Sequence, residues 1–187
     1  MKKNNNIFLI PLLFVVLNTS AQQPESNSVK GQINIDFFTR LNLNGFYDNY
    51  YFINGSYRAV NNVDFGLYYG RDFSSFGKGN GHGNKSGISL NYSFNSLLFK
   101  GNDKFDLYTK VLTGIYWYDY TFTRTYFYED HAEQDVTINY AGTEYDINCF
   151  VGAKYFPVKW FGFMTEFGYQ KYYEHWIVNF GLCFRIK

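Results

Sequence analysis

The 187-residue sequence contains no apolar run close to the about 20 residues that a membrane-spanning helix needs. Its formal net charge is only +1, which gives no electrostatic reason to expect a nucleic-acid partner. The mean hydropathy of −0.31 by itself suggests a soluble protein. The same average also describes a membrane barrel, because polar residues in the interior dilute the lipid-facing apolar ones. These shortages argue against a helical membrane protein but not against a β-barrel.

Cysteine is equally scarce, with only Cys149 and Cys183. An oxidising compartment would permit a disulfide between them. However, the residue pattern puts Cys149 on an outward face and Cys183 on an inward face, on strands separated by a third strand. Two strand spacings are about 9.5 Å, which exceeds the roughly 7 Å between Cα atoms that a disulfide can bridge. The sequence therefore predicts two free thiols.

The beginning of the chain has the pattern of a secretory signal peptide. Lys2 and Lys3 precede an apolar centre over 7–17, and small residues end at Ala21. The apolar part is too short for a membrane anchor. We therefore predict a signal peptide over 1–21 that is cleaved after Ala21. A flexible lead-in over 22–31 and one domain over 32–187 would follow it.

Aromatic residues are abundant, at 23% of the chain with 21 Phe and 19 Tyr. Many of them alternate with polar residues, and a period of two is the pattern of β-strands with two unlike faces. This alternation predicts an all-β fold, an eight-stranded antiparallel up-and-down transmembrane β-barrel. A tight turn is expected at 61–62, a mobile Gly-rich loop over 74–85 and a turn over 100–104. The alternating runs lie at about 32–43, 50–60, 63–73, 86–98, from 105 onward, 145–155, 161–170 and 176–186.

The distribution of charge indicates which face of the barrel lies inside. Five acids and five bases lie on the polar faces, whereas the apolar faces carry no formal charge apart from Arg71 near a rim. Such a balance suits a narrow lumen in which the charges neutralise one another. A barrel of eight strands is just wide enough for its side chains to fill it, so the sequence predicts a packed charge network rather than a conduction path. Its predicted members are Asp36, Arg40, Arg58, Asp64, Asp106, Lys110, Asp146, Lys154, Glu166 and Arg185.

Aromatic residues also mark both ends of the apolar band, as expected at the two interfaces of a bilayer. A secreted soluble barrel with its apolar face inward is the alternative. The girdle at the outer end would contain Tyr51, Tyr69, Trp117, Tyr145, Tyr169 and Trp176, and the girdle at the periplasmic end Phe94, Phe105, Tyr155, Trp160, Phe161 and Phe184.

The C-terminal strands, with the runs 152–156, 166–169 and 179–185, resemble the closing strands of small outer-membrane β-barrel proteins of Gram-negative bacteria. The resemblance extends over most of the chain after the leader and implies the porin-like outer-membrane barrel architecture. It also implies an outer-membrane location and lipid as the surrounding partner. With eight strands, both chain ends would be periplasmic. The connections after strands 1, 3, 5 and 7 would be extracellular, with those after strands 3 and 5 long.

The stretch 116–140 is the most distinctive part of the chain. Alternating Tyr and Thr suggest that strands 5 and 6 run well past the outer leaflet as a hairpin, with an acidic turn over 129–135. It either continues the wall or forms a recognition surface for a protein, since exposed aromatics and an unpaired strand edge suit such contacts. The candidate recognition residues are Phe122, Arg124, Tyr126, Tyr128 and Ile138.

No motif in the sequence indicates catalysis. His82, His131 and His175 fall in predicted extracellular loops with several Ser and acidic residues, where a His base could support acyl transfer. Nothing fixes such a pairing, and the three His lack the spacing of metal ligands. We predict no catalytic residue, metal or cofactor. The expected role is structural or interactive: envelope integrity, surface adhesion or a subunit of a larger complex. The alternatives are a lipid-modifying enzyme and, third, a narrow solute pore.

Overall fold

The computed structural model describes residues 30–42, 48–60, 62–74, 80–95, 104–127, 133–170 and 175–186. Within these ranges eight strands pair in chain order, and β1 also pairs with β8, so the antiparallel sheet closes into a barrel. The predicted eight-stranded up-and-down barrel is thus confirmed. The predicted signal peptide and most of the lead-in lie outside the described residues. The strands are β1 (Ile33–Asn42), β2 (Asp48–Val60), β3 (Val63–Ser74), β4 (Asn80–Ser93), β5 (Phe105–Phe127), β6 (Glu133–Val158), β7 (Phe161–Gln170) and β8 (His175–Ile186).

Burial alternates along each strand in the sense that the sequence pattern predicts. Inward side chains such as Asp36 and Asn54 are buried, whereas outward Leu67 and Val151 are 70% and 63% exposed. A soluble barrel with an apolar interior would show the opposite distribution. The apolar side chains that cover the outside therefore need lipid around them. The described residues contain no helix long and apolar enough to cross a membrane.

The fourth strand is where the sequence prediction is wrong. β4 is Asn80–Ser93 rather than 86–98, and its first residues pair with β3 and β5 instead of forming the expected mobile loop over 74–85. Gly83 lets the Tyr116 ring pack against the backbone of β4, because a Cβ at this position would lie 2.5 Å from that ring. The connection after β3 is therefore only 75–79, and the connection after β4 spans 94–104 rather than 100–104.

The two ends of the barrel differ. One end, which we call the terminal end, is where Ile33 pairs with Ile186. The short connections after β2 and β6 join neighbouring strands at this end. Asn62 adopts φ 66° in the first of these turns, a left-handed conformation that Asn tolerates well. At the opposite end, which we call the hairpin end, β5 and β6 reach 23 and 26 residues, against 10 for β7. A membrane-crossing strand needs only about 9–11 residues.

Candidate functional site

At the terminal end of the lumen, charge pairs join the first half of the barrel to β5. Arg58 donates from Nε to Asp64 Oδ1 at 2.6 Å and from Nη2 to Asp64 Oδ2 at 3.1 Å. This forked geometry is the strong form of an arginine–carboxylate pair. Asn34 donates to the same carboxylate at 3.2 Å, and Asp106 lies 3.9 Å from Arg58. The four groups link β1, β2, β3 and β5 across the interior.

In the middle of the lumen, two buried carboxylates are held by two lysines. Asp36 accepts from Lys154 Nζ at 2.6 Å and lies 3.7 Å from Lys110 Nζ. Glu166 is hydrogen-bonded to Lys110 and also accepts from the Tyr108 hydroxyl at 2.7 Å and the Asn179 amide at 2.8 Å. Side chains from β1, β5, β6, β7 and β8 therefore meet at one level, which gives each buried charge a partner of opposite sign.

The hairpin end of the lumen contains two charged residues that the sequence analysis missed. Lys85 on β4 pairs with Asp146 Oδ2 at 2.9 Å. Asp72 on β3 accepts from the hydroxyls of Tyr116 and Tyr120, both at 2.8 Å. Lys85 was missed because it lies in the segment predicted as a loop, although it shares the parity of the inward residues Ser89 and Asn91.

Arg40 lies at the same end of the lumen, where its side chain contacts uncharged groups. Its guanidinium donates to Gln170 Oε1 at 2.6 Å and to Asn179 Oδ1 at 3.3 Å, and lies 4.7 Å from the centre of the Phe52 ring. Arg185, by contrast, is half-buried near the terminal end, with its guanidinium 3.8 Å from the centre of the Phe156 ring. These two arginines are held by amides and aromatic faces.

Among the described residues, six acids and five bases are buried in the lumen, and half-buried Arg185 adds a sixth base. Rings of Phe38, Phe52 and Phe150 fill the space between the charged groups. The arrangement is a packed interior whose charges neutralise one another. It can hold the strands in register, because pairs such as Lys154–Asp36 and Lys85–Asp146 join strands that are far apart in the sequence.

The residues predicted to form the two aromatic girdles lie on the outward faces of the strands, apart from Phe94 and Trp160, which lie in connections. At the terminal end, Phe105 contacts Tyr155 with ring centres 4.9 Å apart, and Phe161 contacts Phe184 at 5.4 Å. At the hairpin end, Trp176 contacts Tyr169 at 5.5 Å. The amphipathic rings of Tyr155, Tyr169 and Trp176 in these positions suit the boundary between hydrocarbon and water.

The hairpin continues the tyrosine-lined inward face of β5 beyond the barrel. Tyr118 lies between Tyr116 and Tyr120, with ring centres 5.2 and 5.8 Å away, and stacks on Tyr140 of β6 at 5.3 Å. Its hydroxyl donates to Glu144 at 3.1 Å. The aromatic rings of β5 and β6 therefore stiffen the base of the hairpin.

The outer edge of β6 is unusual. β6 pairs with β5 from Glu133 to Tyr155, but it pairs with β7 only from Asn148 onward. Among the described residues, no strand pairs with the other edge of β6 between Glu133 and Ile147. Ile138 and Tyr140 on this stretch are 43% and 54% exposed. Of the other predicted recognition residues, only the backbone of Phe122, Arg124 and Tyr126 is described, and Tyr128 lies outside the described residues.

The histidines are not placed as the sequence suggested. His82 is a strand residue of β4, exposed on the outward face and opposite Asp119, and His175 is the first residue of β8. Both were predicted in loops, and the early start of β4 accounts for His82. His131 lies outside the described residues. Cys149 and Cys183 are free thiols, as predicted. In the described part of the chain, no group of His, Cys, Asp and Glu is arranged to hold a metal ion.

Comparison with known proteins identifies the fold. Neither a protein-family model nor a curated protein sequence matches the chain. Among solved structures, it is similar to the N-terminal β-barrel domain of Pseudomonas aeruginosa OprF, at 17% identity and a TM-score of 0.56, over 84% of this chain and 98% of that one.

Two further structures show the same similarity. Neisserial surface protein A is 13% identical with a TM-score of 0.51, over 83% of this chain and 94% of that one. Ail, the attachment invasion locus protein of Yersinia pestis, is 11% identical with a TM-score of 0.50, over 84% and 100% respectively. At these identities the comparison shows the fold alone, which is that of the small eight-stranded outer-membrane β-barrels.

Proposed function

We propose that this protein is a non-enzymatic outer-membrane β-barrel that binds a protein partner through its β5–β6 hairpin, with the hairpin end facing out of the cell. The observation that carries the proposal is the edge of β6 between Glu133 and Thr143, with which no described strand pairs. A strand edge presents backbone N–H and C=O groups in a row, which an extended segment of another protein can pair with. Exposed Ile138 and Tyr140 beside that edge would add side-chain contacts.

Orientation in the membrane is part of the proposal. Outer-membrane barrels have short turns on the periplasmic side and their longer excursions on the outside. Here the turns after β2 and β6 at the terminal end are tight, although the connection 94–104 at that end is longer, and the extended strands of the hairpin lie at the other end. This asymmetry supports an extracellular hairpin and periplasmic chain termini.

The structure offers less support for the two alternatives. A solute pore needs an open path, whereas the lumen is filled by paired charges and aromatic rings. A lipid-modifying enzyme needs a nucleophile beside its base, and the residues directly opposite His82 are Phe73 and Asp119, neither of which has a hydroxyl or thiol. A role as a surface-exposed adhesin or as a subunit of a larger complex fits better.

Trimming the hairpin tests the proposal. Replacing residues 122–136 with a short Asn-Gly turn should preserve heat-modifiable gel mobility, because the wall of the barrel is complete below them. A photo-crosslinking residue at position 138 should trap a partner on intact cells. The same residue at Leu67, which points toward lipid, is the matched control. Trimming leaves Ile138 and Tyr140 in place, so the variant used to test binding also carries Ile138→Ser and Tyr140→Ser. A partner that binds this variant and the parent equally tightly would contradict the proposal.

A further inference from the structure

An open groove of about 450 Å³ lies on the outward surface at the base of the hairpin. It crosses β4, β5 and β6 and is lined mainly by polar and aromatic side chains. Its size lies within the range of about 300–1,000 Å³ that is usual for small-molecule sites. The main lining residues are His82, Asn84, Trp117, Asp119, Ala141 and Thr143.

Strand register determines how these side chains are arranged. Trp117 lies directly between Asn84 on β4 and Thr143 on β6. One step further from the membrane, His82 lies opposite Asp119. Residues directly opposite in an antiparallel pair have Cβ atoms about 4.5–5.5 Å apart. The indole ring is therefore surrounded on three sides by an amide, a hydroxyl and a His–Asp pair.

The groove begins where the apolar surface ends. The next outward residues toward the membrane include Ile115 and Tyr145, which are opposite each other and exposed. On β3, Arg71 is exposed and lies opposite Asn84. The surface therefore changes from apolar to polar and charged at the level of Trp117, and such a change is expected at the level of the lipid headgroups.

From this arrangement we infer that the groove binds the saccharide headgroup of an outer-leaflet glycolipid. Trp117 is 37% exposed and offers a flat apolar face, which suits the C–H face of a sugar ring. Asp119 supplies acceptors for sugar hydroxyls. The Tyr69 hydroxyl donates to Asn84 Oδ1 at 2.8 Å, which orients this amide so that its NH₂ group is the donor.

The chemistry favours a sugar over a bare phosphate, and a lipid-linked sugar over a free one. A phosphate centred in the groove would face the carboxylate of Asp119, whereas hydroxyl groups can donate to it. Because the groove is continuous with the lipid-facing surface, acyl chains attached to the sugar would remain in the bilayer. The inference goes beyond the proposed protein-binding role, since its ligand and its residues differ from those of the hairpin edge.

Tryptophan fluorescence provides the test. In full-length protein carrying Trp160→Phe and Trp176→Phe, the emission comes from Trp117 alone. The protein is reconstituted into phosphatidylcholine bilayers with increasing fractions of a neutral diglycosyl diacylglycerol. We expect the emission to change and then saturate as the glycolipid fraction rises. Asn84→Ala or Asp119→Ala should weaken the apparent affinity for the glycolipid roughly fivefold to tenfold. Thr137→Ala, on the exposed face of β6 outside the groove, should leave this affinity unchanged.

Three results would overturn the inference. One is an equal response to bilayers with phosphatidylserine in place of the glycolipid, and another is equally strong binding of the free disaccharide. The third is unaltered affinity in both groove variants, after heat-modifiable mobility has shown that they fold. Protein lacking residues 122–136 should still bind the glycolipid, so loss of the protein partner and loss of the glycolipid site are distinguishable.

Discussion

At the scale of single residues, the buried carboxylate of Glu166 has three partners, Lys110, Tyr108 and Asn179. Glu166→Ala should lower the free energy of unfolding by about 3–5 kcal/mol, because it leaves the buried Lys110 with one carboxylate fewer. Glu166→Gln keeps the size and some hydrogen bonds and should cost less. Urea unfolding in detergent micelles measures both. Equal stability of Glu166→Ala and the parent would show that this pair does not hold the barrel.

Gly83 provides a second test at this scale. Its missing side chain leaves room for Tyr116 and Asp72, and a Cβ would lie 2.5 Å from atoms of each. Gly83→Ala should therefore destabilise the barrel by about 1–3 kcal/mol through overpacking. Gly55→Ala is the matched control, because nothing lies within 4 Å of its Cβ position. Similar unfolding midpoints for the two variants would contradict the packing that we assign to β4.

At the scale of the strands, the outward face should tolerate charge poorly. Phe180 points out of β8 near the middle of the apolar band, and Phe180→Arg should cost about 2–4 kcal/mol in a bilayer. Asn91→Gln, a polar exchange on the inward face of β4, should cost much less. Folding titrations into lipid vesicles compare the two. Equal tolerance at both positions would mean that the barrel is inside out.

The strands also show what the sequence could predict. Alternation is a local property, so it indicated the strands, their facing and the long hairpin wherever apolar and polar residues alternate clearly. It failed in 80–85, where glycines on the inward face remove the pattern and resemble a loop. The reason for these glycines is visible only in the structure, where Tyr116, Tyr120 and Asp72 from the neighbouring strands take up the space that their side chains would fill. Lys85 was lost from the predicted charge network for the same reason.

At the scale of the whole molecule, closure of the barrel creates features that no single strand encodes. The groove beside Trp117 depends on the register between β4, β5 and β6, which brings Asn84, Thr143 and the His82–Asp119 pair around one ring. Alternation gives the facing of each residue but not its neighbour on the next strand. The same limit explains why alternation could assign charged residues to the inward face but could not give the partner of each.

A spin-label scan along β5 tests whether the barrel crosses a bilayer while the β5–β6 hairpin projects from it. Single labels are placed at the outward positions from Leu107 to Thr123, with Cys149 and Cys183 replaced by Ala, in protein reconstituted into lipid bilayers. We predict that labels from Leu107 to Ile115 collide with dissolved oxygen but not with a water-soluble nickel complex. From Asp119 onward the preference should reverse, with the change at Trp117. Nickel accessibility along the whole strand would contradict the account, and so would oxygen accessibility that continues to Thr123.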